Sequence, residues 1–515
     1  MPDLPPSFPF HLAGLELDRS RGLSLQLYQA LRASILEGRL NSGTRLPASR
    51  DLAKTLHISR NSVVQAYDQL HAEGFIEART GDGTYVAELA NSFTRKAKLS
   101  TKMSTGLSTG LSTPLSTNEP GLAKIPCPEL IHSPALALLQ QHHLKAPPAD
   151  GPRAFRVGIP AFDLFPFAVW GKLYAAFWRK PDLARLGYGD PAGDPTLREL
   201  IAVYLRTTRG LQCTVEQIVI TSGAQQAISL CAQLLVQKND SVAIENPGYR
   251  AAGHAFAVAG ATLSGIPVDE EGMRCDLLQA SSAKLAYVTP SHQYPTGAVM
   301  SLARRLELLA WAGTTGGWIV EDDYDGEYRY SGAPLAPLAA LDRAGRVLYV
   351  GTFGKIAYPG LRLGYAVLPP ELVEPFSHRR AVDMRHSEVS TQAVMAEFIR
   401  AGHFQRHIGR MRRAALSRRN ALVANWPAEL RGCAGLPRIV AGLHVVVKVE
   451  SLAREQELIG QAKIFGVEIT PLSSYWLPDS PEPVDKRAGL VLGFAAVPER
   501  DIIAALARLK EAWRD

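Results

Sequence analysis

The chain has 515 residues, of which 46% are hydrophobic and 20% charged, with a formal net charge of +7. That is ordinary globular usage on a chain long for one core, so two or more folded units are expected, and a modest positive charge permits contact with nucleic acid without demonstrating it. The longest apolar stretches, such as Leu230 to Val236, break well short of the roughly 20 residues that cross a bilayer, and the first residues lack the basic and apolar segments of a secretory signal. No membrane span and a cytoplasmic location are therefore expected. The cysteines, Cys127, Cys213, Cys231, Cys275 and Cys433, form no C-x-x-C pair, which argues against a zinc site or a disulfide framework, and no metal is assigned.

Three helical segments open the chain. Leu25, Leu27, Tyr28, Leu31, Ile35 and Leu36 share a helical apolar face that ends near Gly38. Ser49 reads as the N-cap of a second helix, Arg50 to Leu56, with Leu52, Ala53 and Leu56 inward. Ser59 caps a third, from Arg60 to about Ala72, with Val63, Val64, Tyr67 and Leu70 on its buried side. The second and third, joined at His57-Ile58, form a helix-turn-helix whose second helix would enter the major groove. Phe75 to Arg79, a turn at Gly81-Asp82-Gly83 and Thr84 to Val86 then read as a β-hairpin, a wing.

The string LPASRDLAKTLHISRNSVVQAYDQLHAEGFIEARTGDGTYV, Leu46 to Val86, resembles the winged helix-turn-helix of the GntR family of bacterial regulators. The resemblance implies that Arg50, Ser59, Arg60, Asn61 and Ser62 reach a double-stranded DNA operator, with Gly81 at the wing tip. Helix N-terminal amides and small hydroxyls suit phosphate, and arginine suits a guanine edge. The DNA-binding domain is placed at 20–88. Residues 89–152, with Lys96, Lys98 and Lys102, a Ser-Thr-Gly-Leu repeat and several prolines, offer few core-forming side chains and read as a flexible linker.

From 153 to 515 strands alternate with helices: Ile218 to Thr221, Ser241 to Ile244, Lys284 to Thr289, Trp318 to Glu321 and Val347 to Gly351 are short β-rich runs. This pattern argues an α/β domain with a mainly parallel sheet, whose site collects at the carboxyl ends of the strands. There stand Thr221-Ser222-Gly223-Ala224, which opens a helix and offers amides to a phosphate, and Glu245-Asn246-Pro247-Gly248-Tyr249, with a ring able to stack on a flat molecule. Glu321-Asp322-Asp323-Tyr324 adds a carboxylate and a phenol, and Gly351-Thr352-Phe353-Gly354-Lys355, with Arg362 beyond it, adds an amine beside a phosphate-binding arginine.

Together these resemble the fold-type I, aminotransferase-like domain that binds pyridoxal 5'-phosphate. By that resemblance Lys355 is the Schiff-base lysine and the catalytic position; Asp322 pairs with the pyridine nitrogen, with Asp323 as competitor for the role. Tyr324 serves the ring oxygen, Tyr249 stacks, and Ser222, Gly223, Ala224, Thr352 and Arg362 form the phosphate cup. Tyr188, in Leu186-Gly187-Tyr188-Gly189-Asp190, matches a tyrosine that reaches the phosphate across a subunit boundary and so implies a homodimer. A GntR reader fused to this domain, with the segments TPSHQYPTG, EDDYDGEYRY and GTFGK, resembles the MocR subfamily of regulators. The expected function is a cofactor-dependent transcriptional regulator in which a small amine or amino-acid effector takes the place of Lys355 on the cofactor and alters operator binding. The alternative is an active aminotransferase carrying a DNA reader. Two departures bear on that choice: Tyr294 stands where aminotransferases place an Asn that serves the ring oxygen, a cofactor contact its phenol can still make, and Val491-Leu492-Gly493-Phe494 lacks the arginine that clamps a substrate carboxylate.

Overall fold

The structure, a computed structural model, describes residues 17–19, 22–79, 82–87, 151–330 and 335–514. The chain divides between residues 124 and 125 into two compact units. Gly81 and nearly all of the 89–152 segment lie outside the described residues.

In the first unit, α1 (Leu23–Leu36), α2 (Ser49–Thr55) and α3 (Arg60–Ala72) enclose a core of Leu27, Leu31, Ile35, Leu52, Val63, Ala66 and Leu70. Leu25 and Leu36 are instead exposed, because at about 100° per residue they fall opposite Leu27 on α1. Ser49 is the first helical residue, not the cap, which is Ala48. Ser59 does cap α3, accepting a hydrogen bond from the Ser62 amide at 3.1 Å. Val64 is half-buried, and Ala66 takes the interior place expected for it. The wing is β2 (Ile76–Arg79) paired antiparallel with β3 (Gly83–Val86), to which a short β1 (Arg45–Leu46) adds on the other side.

The second unit is built on an eight-stranded sheet. Its strands are β4 (Ile218–Thr221), β5 (Ser241–Asn246), β6 (Thr262–Asp269), β7 (Gly272–Met273), β8 (Leu285–Val288), β9 (Trp318–Asp323), β10 (Val347–Thr352) and β11 (Gly364–Val367), in the order β4-β11-β10-β9-β8-β5-β6-β7. The pairs from β10 through β9, β8 and β5 to β6 are parallel, as expected, while β11 runs antiparallel to both its neighbours and β7 to β6. Every residue of β4, β8 and β11 is buried, because helices cover both faces, and such strands read as apolar runs without alternation. The reversal of β11 has a use: Gly364 at its start lies opposite Thr221 and Thr352, so Arg362 arrives at the edge where β4 and β10 end.

A smaller lobe, β12 (His444–Lys448), β13 (Thr470–Pro471) and β14 (Gly489–Gly493) in the order β12-β14-β13, packs with helices Leu452–Ile464 and Glu499–Ala512 around Leu458, Leu490, Leu492, Ile502 and Leu506. Among the described residues no helix is long and apolar enough to cross a membrane.

Candidate functional site

In the first unit, Arg50 on α2 and Ser59, Arg60 and Asn61 at the start of α3 are exposed, with Ser62 half-buried beside them. Arg60 Nε lies 3.5 Å from Ser49 Oγ, and Ser59 Oγ lies 2.9 Å from Ser62 Oγ. The start of α3 thus presents its positive end, two hydroxyls and the Arg60 guanidinium, with a second guanidinium exposed on α2 at Arg50, a donor set that suits phosphate and base edges.

In the second unit a cavity of about 800 Å³ opens where the parallel strands end. Its wall contains Gly223, Ala224, Tyr249, Tyr294, Asp322, Tyr324, Thr352, Lys355 and Arg362, so nine of the eleven expected cofactor contacts come together. Lys355 Nζ donates to the carbonyl of Gly158 at 2.7 Å. Burial lowers the affinity of this amine for its proton, with Asp325 and Asp322 opposing the effect.

Asp322 Oδ2 accepts from the Tyr287 hydroxyl at 2.7 Å, while Oδ1 is buried with no hydrogen-bond partner. Burial pushes this carboxyl up to about 7, against the hydrogen bond from Tyr287. Asp323 turns to the other side of the strand, where it accepts from Arg209 and, at 2.6 Å, from Tyr349, and it does not line the cavity. Strand alternation thus puts Asp322, and not Asp323, on the cavity side.

The helix Ala224–Leu235 begins on the cavity wall after Gly223, whose φ of +84° places it in a region that side chains avoid. Arg362 Nη2 donates to the Ser222 carbonyl at 2.7 Å, bracing the guanidinium beside these amides. Ser222 itself is half-buried and outside the wall, with its hydroxyl 3.7 Å from Met384 Sδ. Tyr188 also stays out of the cavity: it is 83% exposed and packs under Arg385 at 4.9 Å.

Tyr294 is at the centre of an aromatic group, edge-on to Tyr249 at 5.7 Å, Tyr324 at 5.8 Å and Tyr475 at 5.3 Å, and its hydroxyl meets that of Tyr475 at 2.9 Å. Beneath Tyr324 lies a buried pair, His292 Nδ1 and Asp325 Oδ2 at 2.9 Å, and the Tyr324 hydroxyl donates to the His292 carbonyl at 2.9 Å. His444 completes this side; burial holds its ring well below the usual histidine range, so it is neutral. Gly158, Arg250, Tyr287, His444 and Tyr475 were not among the expected cofactor contacts; they come from separate segments that meet only on folding.

The donor set fits pyridoxal 5'-phosphate. Asp322, one of whose carboxylate oxygens has no partner, lines a cavity that also holds one amine, a helix start with an arginine, and an aromatic ring.

A winged helix-turn-helix joined to an aminotransferase-type cavity defines a composite DNA-binding protein. Residues 23–86 match the family model for bacterial regulatory proteins of the gntR family, and residues 180–473 match that for aminotransferase class I and II. The chain is 34% identical over 97% of its length to the probable rhizopine catabolism regulatory protein MocR of Rhizobium meliloti, 96% of which is covered. It is also 29% identical to the pyridoxine biosynthesis transcriptional regulator PdxR of Corynebacterium glutamicum, with 95% of each chain covered. The chain belongs to the MocR-type transcriptional regulators, DNA-binding proteins with a gntR reader and an aminotransferase class I and II domain. Among solved structures it is similar to the kynurenine aminotransferase of Pyrococcus horikoshii, with a TM-score of 0.63 and 27% identity over 75% of this chain and 96% of that one.

Proposed function

We propose that this regulator holds pyridoxal 5'-phosphate on Lys355 and that a small amine effector, by taking the place of the lysine, changes its affinity for an operator in the cytoplasm. The observation that carries this reading is the buried, partnerless Oδ1 of Asp322 in the same cavity as Lys355. When bound, the cofactor supplies an electrophilic carbon that joins reversibly to amines. Asp322 would hold a proton on the pyridine nitrogen through Oδ1, and Tyr287 would fix the carboxylate in place through Oδ2. The amides of Gly223 and Ala224 with Thr352 and Arg362 would bind the phosphate, and Ser222 would contribute through the carbonyl that braces Arg362. Tyr249 would lie against the ring, and Tyr324 would serve the ring oxygen only by turning its hydroxyl away from the His292 carbonyl it now donates to. Tyr294 keeps an aromatic wall there but spends its hydroxyl on Tyr475. Tyr188, exposed in one protomer, would reach the phosphate of a second copy in a homodimer.

Lys355 is suited to exchange because burial favours its neutral form, which is nucleophilic when released. Release of the lysine changes what its amine touches, and an effector that prefers one of two conformations shifts their populations and with them DNA binding. Transamination asks more: a substrate held so that the breaking bond stands perpendicular to the ring, and lost positioning costs orders of magnitude in rate. Val491, at the place of the expected clamp, is buried with Val446 and Leu472 and cannot hold a carboxylate.

The test mixes the cofactor-loaded protein with amines and a keto acid and follows absorbance, product and DNA affinity together. Spectral change and altered DNA affinity with little product are expected. Turnover at ordinary rates, on the order of 1–1000 per second, with unchanged DNA affinity would establish the enzyme instead.

For the reader domain, Arg60→Ala is expected to weaken operator binding by roughly 1–3 kcal/mol at matched salt if the arginine pairs with a base edge. Cofactor absorbance should be preserved. An unchanged operator affinity removes Arg60 from the contact set.

A further inference from the structure

Asp325 is 2% exposed, and nothing in the proposed function uses it. Its Oδ2 lies 2.9 Å from His292 Nδ1, while its Oδ1 is buried with no hydrogen-bond partner among the described residues. His292 is the one ion-pair contact that the described residues offer this carboxylate. Arg209 and Arg329 lie around the same small gap, but Arg209 is held by Asp323. Lys355 is close by. Asp325 acts on its amine more strongly than Asp322 does, and Tyr328 spans the two residues, its amide donating to the Asp325 carbonyl at 2.9 Å and its hydroxyl to the Lys355 carbonyl at 2.7 Å.

The balance of charge in the switch gives this carboxylate a task. A simple alkyl amine resembles the lysine side chain, whose ordinary value is about 10.4, and so arrives as an ammonium ion at neutral pH. When it displaces Lys355, the effector nitrogen takes over the bond to carbon that the lysine nitrogen gives up, and the effector's hydrogens, with their positive charge, pass to the lysine nitrogen. The charge that entered with the effector therefore ends on Lys355, where burial disfavours a cation. The Gly158 carbonyl, which accepts from Nζ at 2.7 Å, can share a hydrogen bond but cannot balance a charge. Asp322 is committed to the ring nitrogen in the proposed function. Burial holds Tyr324, Tyr328 and Tyr330 well above the ordinary range of a phenol, and His444 well below that of a histidine, so all four are neutral. Asp325 remains.

We propose that Asp325 receives Lys355 in the effector-bound state, the displaced lysine carrying the effector's proton and pairing with Oδ1. The inference rests on the ligand-switch reading and adds what holds the switch in its second position. A neutral lysine keeps its lone pair and can take the carbon back; an ammonium cannot. The pair also carries the change outward. Oδ2 of Asp325 holds His292, whose ring lies 4.8 Å from that of His444 at the start of the smaller lobe, and a Cβ at Gly442 would collide with it. A cation at Asp325 weakens its hold on His292 at this tight contact, which gives the effector a preference for one lobe arrangement.

The experiment titrates the cofactor-loaded full chain with n-butylamine, which has no second functional group, between about pH 6.5 and 8.5, reading visible absorbance. In the wild type the proton stays in the site, so the dissociation constant of the ammonium form is expected to be flat within about twofold. In Asp325→Asn the lysine is left neutral and one proton goes to solvent. The constant should then fall about tenfold per pH unit, and at about pH 7 it should exceed the wild-type value at least tenfold. Asp325→Glu should restore the flat profile, and His292→Gln, which removes the remaining titratable neighbour, should keep it. A variant that only lost a brace would bind more weakly with a profile parallel to the wild type, and that result overturns the receiver. So does a wild-type constant that itself falls about tenfold per pH unit, a measurement that needs no variant to fold. In both cases the ligand switch survives. If n-butylamine leaves the wild-type spectrum unchanged, the ligand-switch reading fails and the receiver with it.

Discussion

Replacing Lys355 with alanine is expected to abolish covalent retention of the cofactor, and with it the visible absorbance of the dialysed protein, without unfolding the chain. Among the described residues Lys355 is the only lysine on the cavity wall, so none of them offers a neighbouring amine to substitute. The structural cost of losing it is small. The side chain makes one hydrogen bond, to the Gly158 carbonyl at 2.7 Å, and that carbonyl would face a cavity of about 800 Å³ able to admit water. The backbone contact that fixes this loop, from the Tyr328 hydroxyl to the Lys355 carbonyl at 2.7 Å, does not involve the side chain and persists in the variant. Removing a buried amine whose charged form is disfavoured by burial also relieves a desolvation penalty. The melting temperature of the cofactor-free variant should therefore stay within a few degrees of the cofactor-free wild type. An absorbance band that survives dialysis in the variant would move the attachment to another lysine.

The site was legible in the sequence wherever its residues sit in strings that end a buried strand. Strands such as Ile218–Thr221 and Val347–Thr352 are covered on both faces, so they appear as short apolar runs, and the polar residue that follows each run marks the sheet edge where ligands bind. Strand β6 was not legible, since Gly265 and Pro267 interrupt its apolar pattern, and β11, no shorter than β4, opens on Gly364 soon after the Pro359–Leu361 turn, so that no polar-to-apolar boundary marks its start. The choice between Asp322 and Asp323 could not be made from composition, because adjacent carboxylates on a strand differ only in the face they take. Arg209 and Tyr349, which claim Asp323, come from other elements. Arg250 illustrates a further limit. Its side chain looks like any surface cation until the 474–476 loop, more than 220 residues away in sequence, is seen to hold it at the cavity wall.

Changing Asp322 to asparagine is expected to separate the stability of the empty protein from its hold on the cofactor, with opposite signs. In the empty site burial raises the Asp322 carboxyl to about 7, whereas in the unfolded chain it titrates near the ordinary value of about 4. The folded state thus binds the proton more tightly than the unfolded state. The penalty for an ionised Asp322 is absent below about pH 4, grows as pH rises and is complete above about pH 7, where a difference of about three pH units amounts to roughly 4 kcal/mol. Asparagine cannot ionise. Its carbonyl keeps the hydrogen bond from Tyr287, and its amide is a buried donor without a partner, at a cost of roughly 1–3 kcal/mol. At pH 8 the empty variant should therefore be more stable than the empty wild type by about 1–3 kcal/mol, and the difference should disappear or reverse at pH 5. The loaded protein should behave in the opposite way. Without a carboxylate to pair with the protonated ring nitrogen, a buried charge loses its partner, a loss of roughly 3–5 kcal/mol, so cofactor affinity should fall by at least a hundredfold. Chemical denaturation of empty protein at the two pH values, with a cofactor titration alongside, measures both effects. A carboxylate that merely braces the fold would give a variant less stable at both pH values and a cofactor affinity unchanged in the surviving folded protein, and that pattern would return the ring-nitrogen role to another residue.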